Sequence, residues 1–95
     1  MTKKDNERAV VTVLGGDKVG IVAKVTEVLA ANNANIVDIS QTLLEDLFSM
    51  IMLIEIDNLK KDFETLKENL EQTGDELEVK IMLQHEEIFR YMHRI

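Results

Sequence analysis

A group of glycines between two apolar segments is the part of this chain best suited to bind a ligand. Gly15 and Gly16 follow the apolar residues 10–14, and Gly20 precedes Ile21, where apolar residues begin to recur with helical spacing. In a loop between a strand and a helix, the first N–H groups of the helix lack partners within it and can bind a carboxylate or a phosphate. The pattern therefore indicates an anion-binding loop.

The same glycines also permit a purely structural interpretation. Gly15, Gly16 and Gly20 could serve only a tight turn and a close helix–sheet contact, and Asp17 could only hold the loop by accepting bonds from nearby N–H groups. A short glycine cluster is a weak motif by itself, and no Gly-Lys-Ser/Thr sequence follows it. Nucleotide binding is therefore not indicated, and the loop keeps two interpretations at this stage.

Residues that could act as nucleophiles or metal ligands are absent or lack suitable partners. There is no cysteine, so there is no thiol nucleophile and no cysteine-ligated metal. His85 and His93 lie eight residues apart, near one face of a helix, but no close carboxylates complete a metal site. Neither Ser40 nor Ser49 has an obvious base. The sequence predicts no catalytic residue, no metal site and no cofactor.

Composition narrows the class of protein. Ninety-five residues form one domain, and a hydrophobic content of 45% indicates a folded chain. The formal charge of −7 argues against binding to nucleic acid or to an anionic membrane surface. No apolar run approaches the roughly 18 residues of a spanning helix, and the N-terminal residues contain no apolar signal core. These features, with the lack of cysteine, fit a cytoplasmic protein.

The periodicity predicts six elements in the order β-α-β-β-α-β, followed by a short helix. Strands are expected at residues 8–14, 35–44, 48–56 and 77–84, and the first helix at 19–32. Asp57 and Asn58 are the expected cap of the second helix, and Gly74 is its expected C-terminal glycine. This order is typical of the ferredoxin-like α+β sandwich, a four-stranded antiparallel sheet with both helices on one face. The core covers residues 8–84, and an amphipathic tail helix covers 85–95.

Two apolar surfaces predict a homodimer. The third strand is apolar on nearly every residue, so it is central or covered by something outside the domain. The tail helix carries an apolar stripe of Ile88, Phe89, Met92 and Ile95 but is only about 11 residues long, which is marginal for an isolated helix. Its stripe must cross the open face of the sheet or pack on a second copy, and two-fold dimers are the commonest assembly.

With the loop and the elements in place, residues 15–41 resemble the opening of an ACT domain. The family pattern has a polar residue, two positions, then glycine and an aliphatic residue at the start of a helix, and later Asn-Ile at the start of the second strand. The matching positions are Asp17, Gly20, Ile21, Val22, Val25, Leu29, Asn35 and Ile36. Val19 occupies a position at which many members have proline. Valine lacks the preset turn angle of proline, but the length of the loop is kept. In length and tail helix the chain is similar to stand-alone ACT proteins, which resemble the ACT modules of the glycine-cleavage transcriptional repressor.

The resemblance implies a function and a site. ACT domains often associate in pairs and bind a small ligand, usually an amino acid, where the first loop meets the partner copy. The ligand-binding residues implied here are Asp17, Lys18, Val19, Gly20, Ile21 and Asn35. The implied role is a dimeric regulatory module that senses a small molecule and passes its state to a partner protein or pathway.

Three other functions compete with this one. An RNA-binding domain of this fold would need aromatic residues on its open sheet face, but aromatic residues are only 4% of the chain. An enzyme would need a nucleophile with its base, or paired acids, in a cleft. A protein-interaction module without any ligand needs neither, and it remains open.

Overall fold

The computed structural model describes residues 7–16 and 19–92. Its elements follow the predicted order, and the ferredoxin-like prediction is confirmed. The elements are β1 (Arg8–Gly16), α1 (Ile21–Ala31), β2 (Asn35–Leu44), β3 (Leu47–Glu55), α2 (Phe63–Leu77), β4 (Lys80–His85) and α3 (Glu86–Met92).

The four strands form one antiparallel sheet in the order β2-β3-β1-β4. β1 and β3 are therefore central, which explains why both are apolar on successive residues. Alternate residues of β3 are fully or nearly buried and pack with α1 and α2 in one core, to which the helices contribute the buried apolar residues Ile21, Val25, Leu29, Leu66 and Leu70. Both helices thus cover one face of the sheet, and the other face is left open.

The boundaries around the glycine loop differ from the prediction. β1 continues through Gly15 and Gly16 instead of ending at Leu14, and both glycines have ordinary extended backbone. Gly15 is required for space, since a Cβ there would lie 2.7 Å from Cγ1 of Val79. α1 begins at Ile21, two residues later than predicted, and its end agrees with the predicted end at residue 32: Asn32 is the C-cap and Asn33 has φ 63°.

The ends of α2 were predicted wrongly. The N-cap is Asp62, whose carboxylate accepts a hydrogen bond of 2.9 Å from the N–H of Thr65. Hydrogen bonding to the side chain of Thr65, and then to its backbone N–H, lowers the pKa of Asp62. Gly74 lies inside the helix, and Glu78 takes the left-handed C-cap position with φ 61°. The strand expected from Leu77 therefore starts at Lys80, because Leu77 is the last residue of α2.

β2 is an edge strand, and almost all of it is exposed. The pairing with β3 places Ile39 and Leu43 on the helix-covered face and Ser40 and Thr42 on the open face, as the alternation predicts. Val37 departs from this alternation because the register shifts between Ile36 and Asp38. The second half of the strand extends beyond the cover of the helices.

The tail helix α3 occupies one end of the open face and contacts β1 and β4. Of its predicted apolar stripe, Phe89 is half-buried, whereas Ile88 and Met92 are 51% and 60% exposed. Ile95 lies outside the described residues. The described part of the tail therefore lies on the open sheet face, one of the two predicted positions, but covers only part of it.

Candidate functional site

Val19 and Gly20, the described residues between β1 and α1, are exposed, and Gly20 is left-handed. Gly20 is the N-cap of α1, with φ 91°, and a Cβ built on it would meet nothing within 4 Å. Val19 beside it is fully exposed. The positive φ explains the glycine, because other residues pay a steric cost in that region, and the empty space beside it leaves the backbone accessible.

Core packing and a backbone hydrogen bond hold the start of α1 in place. Ile21 is 2% exposed and belongs to the core, and the N–H of Lys24 donates a 2.9 Å hydrogen bond to the carbonyl of Gly20. Glycine has no side chain with which to cap the helix, and the first turn contains no acidic residue. The first N–H groups of α1 therefore have no side-chain cap, and N–H groups at the start of a helix can bind a carboxylate.

The remaining predicted residues fall into two groups. Asp17 and Lys18 lie outside the described residues. Asn35 lies at the opposite end of the sheet from the turn: it pairs with Glu55 in the row of Arg8, whereas β1 ends at Gly16. Its side-chain N–H donates a 3.0 Å hydrogen bond to the Glu55 carboxylate. One chain therefore brings Val19, Gly20 and Ile21 together but does not bring Asn35 to them.

Sequence reasoning missed an ionic cluster at the tail. Glu86 and Arg90 form an ion pair, with 2.7 Å between Nη2 and Oε2, and Arg8 also binds Glu86 through two hydrogen bonds. The bonds from Arg8 are the main reason that the pKa of Glu86 lies below its usual value, against the opposing effect of burial. The sequence offered one signal for this cluster, which is that Arg8 is a charged residue in the otherwise apolar strand β1.

Among the described residues, histidine and acidic side chains do not form a metal site. The ring of His85 stacks on Phe63 with 4.0 Å between centroids, so it serves packing, and His93 is not among the described residues. Within residues 7–16 and 19–92, no group of three metal-ligating side chains could hold an ion. No helix in that part of the chain is long and apolar enough to cross a membrane.

Comparison with known proteins identifies the family of the chain. A family model of the ACT domain matches residues 7–84. A UPF0237 protein of Methanocaldococcus jannaschii is 60% identical over 88 residues, which cover 93% of this chain and 98% of that protein. An ACT domain protein from Streptococcus pneumoniae is 42% identical, with a TM-score of 0.77 and coverage of 90% of this chain and 96% of its own.

A more distant structure is the regulatory subunit of aspartate kinase from Thermus flavus. It is 26% identical, with a TM-score of 0.62, and the match covers 85% of this chain and 53% of that one. The family match extends over most of the chain and includes both the turn at Gly20 and the strand that begins at Asn35. This chain belongs to the ACT domain family.

Proposed function

We propose that the chain is a regulatory module that binds an amino acid at the N-terminus of α1 and acts as a dimer on a partner protein or pathway in the cytoplasm. ACT domains are regulatory modules that bind small ligands. The observation that carries the proposal for this chain is the left-handed Gly20 at the cap of α1, with open space beside it.

An amino acid has two charged groups, and the site must satisfy both. Its carboxylate would accept hydrogen bonds from the backbone N–H groups around Val19, Gly20 and Ile21, with support from the helix dipole. Its ammonium needs an oxygen acceptor, for which Asp17 is one candidate and the side-chain oxygen of Asn35 is the other. Lys18 completes the set of loop residues.

Within one chain Asn35 is far from the turn at Gly20, but a second copy could supply an Asn35 close to it. The outer edge of β2 is not paired with another strand among the described residues, so two copies can pair there about a two-fold axis. Antiparallel pairing would bring the partner's Asn35 to the Leu44 end of β2, the end of the sheet at which the turn lies. Ile39 and Leu43, 37% and 55% exposed, would then be covered by the partner.

A thermal-shift screen of the twenty amino acids tests the proposal. A ligand at one hundred times its Kd stabilises the native state by about 2.7 kcal/mol, which for a domain of this size raises Tm by roughly 10 °C. Gly20→Val should abolish the shift, because a Cβ at Gly20 displaces the ligand or strains the turn. Asp17→Ala and Asn35→Ala should weaken binding by roughly 1–3 kcal/mol.

Gly16→Ala is the matched control, since Gly16 has ordinary φ and its nearest non-neighbouring atom would lie 4.0 Å from a Cβ. This variant should keep the full ligand shift. A ligand that stabilises Gly20→Val as much as the wild type would contradict the proposed site. If no amino acid shifts the wild type, the alternative holds, and the chain is a protein-interaction module without a ligand.

A further inference from the structure

The tail helix leaves a groove on the open face of the sheet. Because α3 contacts mainly β1 and β4, the part of the face above β3 is left uncovered. The apolar lining comes from the central strands and from two aromatic residues of α3: Val10, Ile51, Leu53, Phe89 and Tyr91. The groove has a volume of about 750 Å³. This volume lies within the range of roughly 300–1,000 Å³ that is usual for small-molecule sites.

The charged residues that line the groove all belong to α3, and they differ in how their charges are paired. They are Glu86, Glu87 and Arg90. Both oxygens of Glu86 already accept hydrogen bonds from Arg8 or Arg90. Glu87, in contrast, is exposed and forms no ion pair with any described residue. Glu87 therefore offers a carboxylate that a bound cation can use.

The charge around the groove is negative on balance. Among the described residues, the open face and α3 together carry four carboxylates and three basic side chains, namely Asp38, Glu55, Glu86, Glu87, Arg8, Lys80 and Arg90. Lys80 pairs with Leu14, near the opposite end of the face from Arg8, so the excess of negative charge is larger beside the groove. The chain as a whole carries a charge of −7. This field attracts a cationic ligand and repels an anionic one.

We propose that the groove is a second small-molecule site, which binds an amine with an aromatic body. The body would lie on Ile51 and Leu53 and against the rings of Phe89 and Tyr91, where aromatic groups pack in offset or edge-to-face geometry. The ammonium group would pair with Glu87. Ile51 and Tyr91 are 40% and 73% exposed, so the ligand would remove apolar surface from water that the chain itself leaves uncovered.

This site is separate from the amino-acid site proposed above. The groove lies on the open face of the sheet, whereas α1 and its N-cap Gly20 lie on the covered face. The two sites also select different chemistry. A carboxylate is the group that the start of α1 would bind, but in the groove it would meet the like charge of Glu87.

Three probes that share one aromatic body and differ in charge test the inference. They are naphthylethylamine, naphthylethanol and naphthylpropionate, which at neutral pH are cationic, neutral and anionic. Titration of the full chain, followed by heteronuclear NMR, gives a Kd for each probe and maps the residues that it contacts. None of the probes is an amino acid, so their failure to bind would leave the proposed site at Gly20 untouched.

We expect the amine to bind about three- to fivefold more tightly than the alcohol, as for an exposed ion pair, and the propionate to bind more weakly than the alcohol. The shift changes should concentrate on Ile51, Leu53 and Phe89. Added salt should reduce the preference for the amine, because salt screens exposed charges.

Glu87→Gln separates the charge of the groove from its shape. This variant should bind the amine no better than the alcohol, whereas its Kd for the alcohol should equal that of the wild type. Glu71→Gln is the matched control, since it removes the same charge from an exposed position of α2, on the covered face. It should keep the preference for the amine.

Ile51→Thr tests the floor of the groove. It keeps a β-branched residue in the strand but removes apolar surface, so it should weaken the binding of all three probes. Leu43→Thr is its control, because Leu43 is an exposed apolar residue on the covered face of the sheet. It should leave the three Kd values unchanged. A cooperative melt establishes that each variant folds.

Equal affinity for the amine and the propionate, or a preference for the amine that survives in Glu87→Gln, would contradict a cationic ligand paired with Glu87. If no probe shifts the residues of the groove, or if the shifts map to another part of the chain, the inference is overturned. That result includes the case in which a second copy or another protein covers the open face.

Discussion

Arg8, at the start of β1, donates two hydrogen bonds to the carboxylate of Glu86, at the start of α3. The Nε to Oε1 distance is 2.9 Å and the Nη2 to Oε2 distance is 3.0 Å. Arg90 adds a bond of 2.8 Å from one turn further along α3. Both oxygens of Glu86 are therefore bonded by guanidinium groups, and the tail helix is attached to the central strand of the sheet.

The first prediction concerns the stability that Glu86 contributes. Its pKa is below the ordinary value of 4.5, mainly because of the hydrogen bonds from Arg8, so the unfolded chain binds the proton more readily than the folded one. The stabilisation is therefore complete above about pH 4.5 and is lost as the pH falls through the lowered pKa. Glu86→Gln should lower Tm by a few degrees at pH 7, and the difference from the wild type should shrink in acid.

Thermal unfolding at several pH values between 7 and 3 measures this difference in Tm. Glu87→Gln is the control. The carboxylate of Glu87 lies next to Glu86 in the sequence, but it is exposed and takes no part in the hydrogen bonds from Arg8. Equal destabilisation by Glu86→Gln at pH 7 and at pH 3 would mean that the charge of Glu86 contributes nothing.

The second prediction is that Gly74→Ala destabilises the fold although it improves helix propensity. Alanine is favoured over glycine in a helix by about 1 kcal/mol. Here, however, a Cβ would lie 2.8 Å from the carbonyl oxygen of Val79 and 3.2 Å from Cγ1 of Ile81. Because such overpacking costs about 1–3 kcal/mol, we expect a net loss of about 1 kcal/mol in the free energy of unfolding.

Denaturant unfolding of Gly74→Ala beside Gln72→Ala checks this balance. Gln72 is exposed on the same helix, so its substitution should change stability by less than about 0.5 kcal/mol. A Gly74→Ala variant more stable than the wild type would show that the chain after α2 moves aside at little cost.

The third prediction separates the backbone role of Gly20 from its proposed ligand role. Gly20→Ala should reduce the free energy of unfolding by about 1 kcal/mol, because its φ of 91° is unfavourable for a residue with a Cβ. Gly20→Asn should cost less, since asparagine tolerates the left-handed region better. Chemical denaturation without ligand measures both. Equal stability of Gly20→Ala and the wild type would show that the turn relaxes to a negative φ.

The fourth prediction concerns the tail. Deleting residues 86–95 should leave the four-stranded domain folded, because α3 contributes no fully buried residue. The deletion exposes Val10, which is 4% exposed in the full chain, so we expect a lower Tm and weaker association. Light scattering and calorimetry of the truncated chain measure both. A truncated chain that keeps the Tm and the mass of the full chain would assign the tail no structural role.

The order of the elements could be read from the sequence because it depends on local periodicity. The alternation in β2 and the helical spacing after Ile21 are properties of neighbouring residues, and both elements occur where they were predicted. The boundaries of the elements were predicted less accurately, because that prediction also depends only on local residues. Asp57 and Asn58 have the right residue types for a cap, but Asp62 forms it, so residue type alone did not select among the three.

The candidate site was predictable only in part. The turn at Gly20 follows from a glycine between a strand and a helix, but its left-handed backbone is a finding of the structure. Asn35 was placed in the same site from its position in the family pattern. Within one chain it lies at the far end of the sheet, because β2 runs in the same direction as β1 and begins where β1 begins.

The sequence by itself determined the fold class, the family and the glycine turn, since each depends on residues close together along the chain. Only the tertiary structure decided what Gly74 and Glu86 do. Gly74 resembles a helix terminator, but its function is to let the carbonyl of Val79 approach. Glu86 bonds Arg8 from 78 residues away. Such contacts depend on how strands and helices are stacked, which local periodicity does not encode.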